Sequence, residues 1–331
     1  MYKRPHHQRI AKVLETFDCD VLNNTKCFFG GGTAIVLLLD EYRESVDIDF
    51  LCSSNDGYRL LRNTVSNDLG SLLKSPLKHL REVRADRDAI RTVLEIDGQP
   101  IKVEFLKEGN SPVTGDINVA FGVPTLSRVD MFTQKLLANA DRGMDKSSSS
   151  RDIIDLAMMV HKWGGIPRES LDKAYAAYGP CVTRGVFNSI ELTQDRKYLS
   201  DCLDRMKMDV SLLDVITSAL EPMQFARGQE TMEFFVFENN LQISLQSAEL
   251  IAKDFDKSIC MDFVADKTVA AKVVGITSLH VILSLGKTAA IVAQSDLSRV
   301  PALGEDATIV FKDGKGLVAD VGRLKGVDNG R

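Results

Sequence analysis

The chain has 331 residues, 44% of them hydrophobic, and a formal net charge of −5. This length predicts two or three domains, and the apolar content excludes a disordered chain. The negative balance excludes a general nucleic-acid coat but leaves room for a local basic site.

The six cysteines, Cys19, Cys27, Cys52, Cys181, Cys202 and Cys260, form no C-x-x-C pair. Their spacing therefore suggests neither a zinc ribbon nor a redox motif, and the expectation is reduced, mostly buried thiols. The start, MYKRPHHQR, is polar and basic with no apolar h-region behind it. The longest apolar run, Ala34–Leu39, falls far short of the roughly 20 residues that span a bilayer. A soluble, cytoplasmic protein with no membrane partner is expected.

Three regions follow one another. In the first, residues 1–124, Ile10, Val13, Leu14 and Phe17 recur at helical spacing and predict a helix over Gln8–Phe17. A glycine turn, Gly30–Gly32, precedes a helix over Thr33–Asp40, and Val46–Cys52 alternates as a strand. Another helix is expected over Leu60–Leu73. Ala89–Ile96 and Ile101–Leu106 flank the turn signal Asp97-Gly98-Gln99-Pro100 and predict a hairpin. From the end of that helix into the start of the hairpin, Lys74, Lys78, Arg81, Arg84, Arg87 and Arg91 form a basic run. It could contact RNA phosphates, but Glu82, Asp86 and Asp88 interrupt it, which favours a solvated helical face.

The second region, 125–240, is helical. Ser127-Arg128-Val129-Asp130 resembles a capping box, opening a helix that runs through Lys135 towards Arg142. Gly143–Ser150 is a polar loop. Arg151–Trp163 is a helix stopped by Gly164, Gly165 and Pro167, and further helices are expected over Ser170–Ala177 and Arg196–Met206. Glu221–Gly228 reads as the end of the helical part. The third region, 241–331, carries short β-rich runs at Thr268–Gly275, His280–Leu285, Ala289–Ala293 and Ala307–Phe311, with a turn at Asp313-Gly314. It predicts a small β-barrel-like domain with a frayed tail over Val327–Arg331. The fold class is α+β: a mixed sheet with helices, a helical domain, then the small β domain.

The chemistry concentrates in Phe28–Phe50, FFGGGTAIVLLLDEYRESVDIDF. Glycines let backbone N–H groups approach phosphate oxygens closely. Asp47 and Asp49 alternate on a strand and share one face, where two carboxylates can hold Mg²⁺; Val46, Ile48 and Phe50 take the core face. Two bridged metal ions would activate an attacking hydroxyl and steady a leaving pyrophosphate. The competing reading is a glycine turn beside a solvated acidic strand. Glu104 is the candidate third carboxylate and metal ligand; otherwise it is an exposed strand glutamate. Lys135 and Arg142, seven apart on a helix, could grip a triphosphate or simply face solvent. Asp152 and Asp155 share a face of the next helix. They could orient Lys135 or Arg142, help a metal, act as a base, or cap the helix and favour its dipole.

The blocks GGTAIVLLL, RESVDIDF, KLLANADR and RDIIDLAMM, spread over Phe28–Trp163, resemble the AbiEii/AbiGii nucleotidyltransferase-like toxins of the polymerase β-like superfamily. The resemblance implies a nucleotidyltransferase fold with a mixed sheet and an adjoining helical domain. It implies Mg²⁺-dependent transfer from an NTP to an RNA, in some relatives tRNA, or to a protein, and pairing with an antitoxin. By motif it assigns Gly31 and Gly32 to phosphate, Asp47 and Asp49 to metal, Lys135 and Arg142 to the nucleotide, and Asp152 and Asp155 to the last motif. The superfamily often has serine where this chain has Gly32, and Thr33 is the candidate replacement for its hydroxyl. AKVVGITSLHVILSLGKTAAIV and RVPALGEDATIVFKDGKG look like the KfrB-type domain of plasmid and conjugation proteins. The leading expectation is the toxin half of an abortive-infection or toxin–antitoxin pair. The alternative is a non-catalytic, nucleotide-binding plasmid-maintenance protein on the same fold.

Overall fold

The computed structural model describes residues 2–109, 111–221, 229–260 and 267–319, without the side chains of 229–237 and 242. The expected helical end over 222–228 and the tail over 327–331 lie outside the described residues. The chain divides into two units, Met1–Phe235 and Val236–Arg331.

The first unit holds a mixed seven-stranded sheet. Its strands are β1 (Cys27–Gly30), β2 (Ile48–Cys52), β3 (Lys78–Ala85), β4 (Ala89–Ile96), β5 (Gln99–Lys107), β6 (Gly115–Asn118) and β7 (Val123–Leu126), in the order β3-β4-β5-β2-β1-β7-β6. β2 runs antiparallel to β1 and parallel to β5. The hairpin signal is met: β4 and β5 pair from Ile96–Gln99 outwards, with Asp97 and Gly98 both at positive φ in the turn. Alternation drives Ile101, Val103 and Phe105 into the core, where the Phe105 ring stacks on Phe50.

Helices α1 (Pro5–Thr16), α2 (Cys19–Asn24), α3 (Gly31–Leu38) and α4 (Asn55–Thr64) belong to this sheet region. Then α5 (Arg128–Arg142), α6 (Arg151–Trp163), α7 (Arg168–Tyr178), α8 (Cys181–Thr193), α9 (Arg196–Arg205) and α10 (Leu212–Ala219) form the helical part. Ser127 caps α5, its hydroxyl accepting from the Asp130 N–H, while Asp130 turns to Thr114 instead of closing a reciprocal box. One core runs through sheet and helices, from Ile10 to Leu220.

Several expectations give way. The predicted helix over Leu60–Leu73 instead spans Asn55–Thr64: Ser54 caps its start, Val65 turns extended and stops it, and Gly70 takes a left-handed turn at φ 51° further on. The basic run is not helical; most of it lies on β3 and β4, paired across a hairpin. Val46 is 45% exposed rather than in the core, since the strand begins only at Ile48. Antiparallel register sets Cys27 opposite Cys52, and the two form a disulfide; Cys19, Cys181, Cys202 and Cys260 are free.

The second unit is an open mixed sheet rather than a barrel. Its order is β13-β12-β9-β10-β11-β8, with β8 (Ser258–Ile259), β9 (Lys267–Ile276), β10 (His280–Leu285), β11 (Thr288–Ala293), β12 (Asp306–Lys312) and β13 (Lys315–Val318). The edge strands β13 and β8 do not pair among the described residues, so no barrel closes. α11 (Gln229–Asp254) supplies a cover: Ala248 and Ala252 pack with Ile282 and Ala289 on one sheet face. A β-carbon on Gly275 would lie 2.6 Å from Ile251, so glycine permits this close helix–sheet contact.

Candidate active site

β1 delivers the glycine turn. Gly31 opens α3 at φ 66°, a left-handed conformation that glycine adopts without steric cost. A β-carbon there would stand 2.6 Å from Asp49 Oδ2, and one on Gly32 would stand 2.5 Å from Arg43 Nη2. The turn thus brings the N-terminus of α3, with its unpaired N–H groups, against the aspartate of β2. Thr33 is buried, and its hydroxyl shares a 2.7 Å hydrogen bond with Ser45.

Pairing sets the carboxylates. Asp49 lies opposite Gly30 on β1 and opposite Glu104 on β5, and Asp47 precedes β2 by one residue. Burial, then the negative charges of Asp47 and Glu104, push the Asp49 carboxyl up to about 6. Uncompensated negative charge of this kind is what a divalent cation relieves. Both Glu104 oxygens already hold cations: Oε1 accepts from Arg91 Nε at 3.0 Å and Oε2 from Lys102 Nζ. No cluster of three or more His, Cys, Asp or Glu side chains is closed enough to hold a metal among the described residues. The donor set therefore suits a cation held by Asp47 and Asp49, with room for phosphate oxygens to complete it.

The opposite wall is cationic. Lys135 on α5 is 5% exposed, and its Nζ lies 2.9 Å from Asp152 Oδ1 and 2.6 Å from Asp155 Oδ2. Two of its three donors are so engaged, leaving one for a ligand. Arg142 grips Asp152 through Nε at 2.6 Å and Nη2 at 3.1 Å. Asp155 also accepts from Tyr42 at 2.6 Å and from Arg43 Nε and Nη2 at 2.7 and 2.8 Å. Burial alone would raise both carboxyls; the charges of Lys135 and Arg142 hold Asp152 far below its usual range, and those of Arg43 and Lys135 hold Asp155 near 2. Both are thus anions that orient cations. Asp152 makes no capping bond: α6 starts from Ser150 with no side-chain cap.

A cavity of about 390 Å³ gathers these groups, lined among others by Gly31, Gly32, Thr33, Asp47, Asp49, Glu104, Lys135 and Arg142. Asp152 and Asp155 stand behind its lining. Arg43, Ser45, Lys102, Gln134 and Arg151 also line it and were not singled out from sequence. Arg43 and Ser45 sit inside the Phe28–Phe50 run, so its polar residues between helix and strand were the available signal. Leu51, Leu106, Leu126 and Met131 add an apolar portion.

A glycine turn on a helix N-terminus, set against Asp49 on the neighbouring strand with Asp47 just ahead of it and a cationic helical wall opposite, defines a nucleotidyltransferase. Residues 12–228 match the family described as nucleotidyl transferase AbiEii toxin, type IV toxin–antitoxin system, and the chain belongs to that family. Among solved structures it is similar to a putative nucleotidyltransferase from H. pylori, at 16% identity over 66% of this chain and 96% of that one, with a TM-score of 0.38. It is also similar to the nucleotidyltransferase toxin MenT4 from Mycobacterium tuberculosis, at 13% identity over 70% and 89% of the two chains, TM-score 0.38. An antigenic nucleotidyltransferase-like protein from Paracoccidioides brasiliensis is 18% identical over 63% and 95%, TM-score 0.36. No curated protein matches the chain. No helix of the described residues is long and apolar enough to cross a membrane.

Proposed function

We propose that this toxin-family nucleotidyltransferase transfers an NMP from a Mg²⁺-bound NTP to a hydroxyl of an RNA or protein acceptor. The observation that carries the reading is the contact of the Gly31 turn with Asp49, facing Lys135 across one cavity. The N–H groups at the head of α3 and the spare donors of Lys135 and Arg142 hold the triphosphate. Asp47 and Asp49 would hold Mg²⁺, which when bound neutralises phosphate charge; Glu104, whose two oxygens already accept from Arg91 and Lys102, would have only its remaining lone pairs to offer. Asp152 and Asp155 fix the cations and exclude other rotamers. The acceptor oxygen bonds to the α-phosphorus, the bond to the bridging oxygen breaks, pyrophosphate leaves, and the hydroxyl proton passes to solvent.

An antitoxin partner follows from the same reading, as does a role in phage defence, and both are proposals. The KfrB-like resemblance of the C-terminal unit, with a plasmid origin, is likewise a proposal. So is the division into core 1–124, helical part 125–240 and β domain 241–331. The non-catalytic alternative gains no specific support. The test is incubation with each α-labelled NTP, Mg²⁺ and total cellular RNA and protein. Label in an acceptor, lost with chelator and in Asp49→Ala, is expected; label that survives both would overturn the reading.

A further inference from the structure

We propose that the sheet face beside the carboxylates is an RNA-backbone groove that leads the acceptor strand to the transfer site. The proposal rests on the transferase reading above and names its acceptor as RNA.

Strand register carries it. Arg84, Arg91, Glu104 and Asp49 are successive partners across β3, β4, β5 and β2, and Arg81, Val93 and Lys102 form the neighbouring row. Residues directly opposite in a sheet share a face, so these basic residues stand on the same face as the carboxylates. On a regular strand Arg81 and Arg84, three apart, would point to opposite faces. They do not, because from Arg81 to Arg84 the partner moves only from Val93 to Arg91. The extra residue is a bulge, which re-aims a side chain and puts both arginines on one side.

The result is a groove of about 580 Å³, lined by Val46, Leu80, Arg81, Arg84, Arg91 and Pro100 among others, and sharing Asp47 and Lys102 with the site cavity. Its charges are not all free. Arg91 is tied to Asp86 and Glu104, Lys102 to Glu104, and Glu82 also lines the groove. Arg81 and Arg84 are exposed and make no ion pair among the described residues. Guanidinium groups match phosphate oxygens in geometry as well as charge. Val46 and Leu80, 45% and 44% exposed, offer apolar surface to sugars and bases. A polyanion satisfies two free guanidinium groups on a path to the carboxylates; a protein acceptor presents a hydroxyl without repeating phosphates.

The experiment uses the full chain and a fluorescent single-stranded oligoribonucleotide of mixed sequence with free terminal hydroxyls. Binding is titrated against salt, and label transfer from α-labelled NTP is followed in parallel. Each phosphate contact on a single strand contributes about 0.7 to the log–log salt slope. The Arg81→Glu/Arg84→Glu protein should lose about 1.4 of that slope and at least about tenfold in affinity at low salt, and label less RNA. Its affinity for Mg²⁺–NTP by calorimetry should match the wild type, and Arg81→Gln/Arg84→Gln should fall between. Equal RNA affinity and slope in the charge-reversed protein would overturn the groove, as would a wild type that labels protein and binds no RNA. A wild type that binds RNA through these arginines yet labels no acceptor would sink the transferase reading and leave the groove standing.

Discussion

Gly31 and Asp49 are built around each other: a β-carbon on residue 31 would sit 2.6 Å from Asp49 Oδ2. Real β-carbons do not tolerate that contact, and the φ of 66° at Gly31 adds strain for any L side chain. Gly31→Ala should therefore cost about 2–4 kcal/mol, displace Asp49 and abolish transfer. Urea unfolding and Mg²⁺–NTP calorimetry check both parts. A variant with wild-type stability and affinity would show that the turn has space to spare.

Asp49 should be a site that the fold holds at a cost. Its carboxyl is raised from 3.8 to about 6 in the folded chain, so the folded state binds the proton more tightly than the unfolded state. Stability from this group is full below about pH 4 and falls as pH rises towards 6. Asp49→Asn should therefore be more stable than wild type near neutral pH, by about 1–2 kcal/mol, while losing transfer. Mg²⁺ should raise the wild-type Tm more than that of the variant. A variant less stable than wild type at every pH would refute the charge repulsion.

Asp155 runs with the opposite sign. The charges of Arg43 and Lys135 overcome burial and hold its carboxyl near 2. Its contribution is present above the unfolded value of 3.8 and is lost as pH falls towards 2. Lys135→Met leaves Asp152 and Asp155 short of a buried partner and should destabilise by about 3–5 kcal/mol. Lys135→Arg, which keeps the charge, should retain more stability yet bind NTP more weakly, because its fork replaces a point charge. Acid-unfolding midpoints and calorimetry separate the two effects. If Lys135→Met were fully stable, the buried ion pairs would not be holding the wall.

His7 ties the start of the chain to the loop before Asp47. The ring is fully buried, its Nε2 accepts from the Ser45 N–H at 3.1 Å, and its Nδ1 therefore carries the proton given to Glu41 at 2.8 Å. His7→Gln can keep an acceptor near the Nε2 position, whereas His7→Asn is too short. His7→Asn should lose about 1–3 kcal/mol of stability and transfer at a reduced kcat, with NTP affinity little changed; His7→Gln should recover much of the rate. Identical kinetics in the two variants would reduce His7 to a packing residue. This position lies ahead of the family-matched residues 12–228.

Local patterns were legible wherever one rule dominates. Alternation and the Asp97-Gly98 turn gave the β4–β5 hairpin with its pairing, and helical periodicity bounded by Gly164 gave α6 at its full extent, Arg151–Trp163. The succession of glycine turn, helix and strand also read out directly, because each step is a short-range preference of the backbone, but the strand starts at Ile48, so only Asp49 of the Asp-x-Asp pair lies on it and Asp47 stands just ahead of it. What the chain order could not supply is partnership between distant residues. That Cys27 meets Cys52, that Glu104 is held by Arg91 and Lys102, and that Asp155 anchors Arg43 across 112 positions are consequences of sheet register and helix docking. The basic run misled for the same reason: its alternating charges suit either an exposed helix or an exposed edge strand, and pairing with β4 decided for the strand. The open C-terminal sheet was settled likewise, since short strands and turns are common to barrels and open sheets, and only the edge pairing of β13 and β8 tells them apart. Sequence alone determined which residue types were available for chemistry; the tertiary structure decided which of them share a cavity, because burial and register act between residues far apart in the chain.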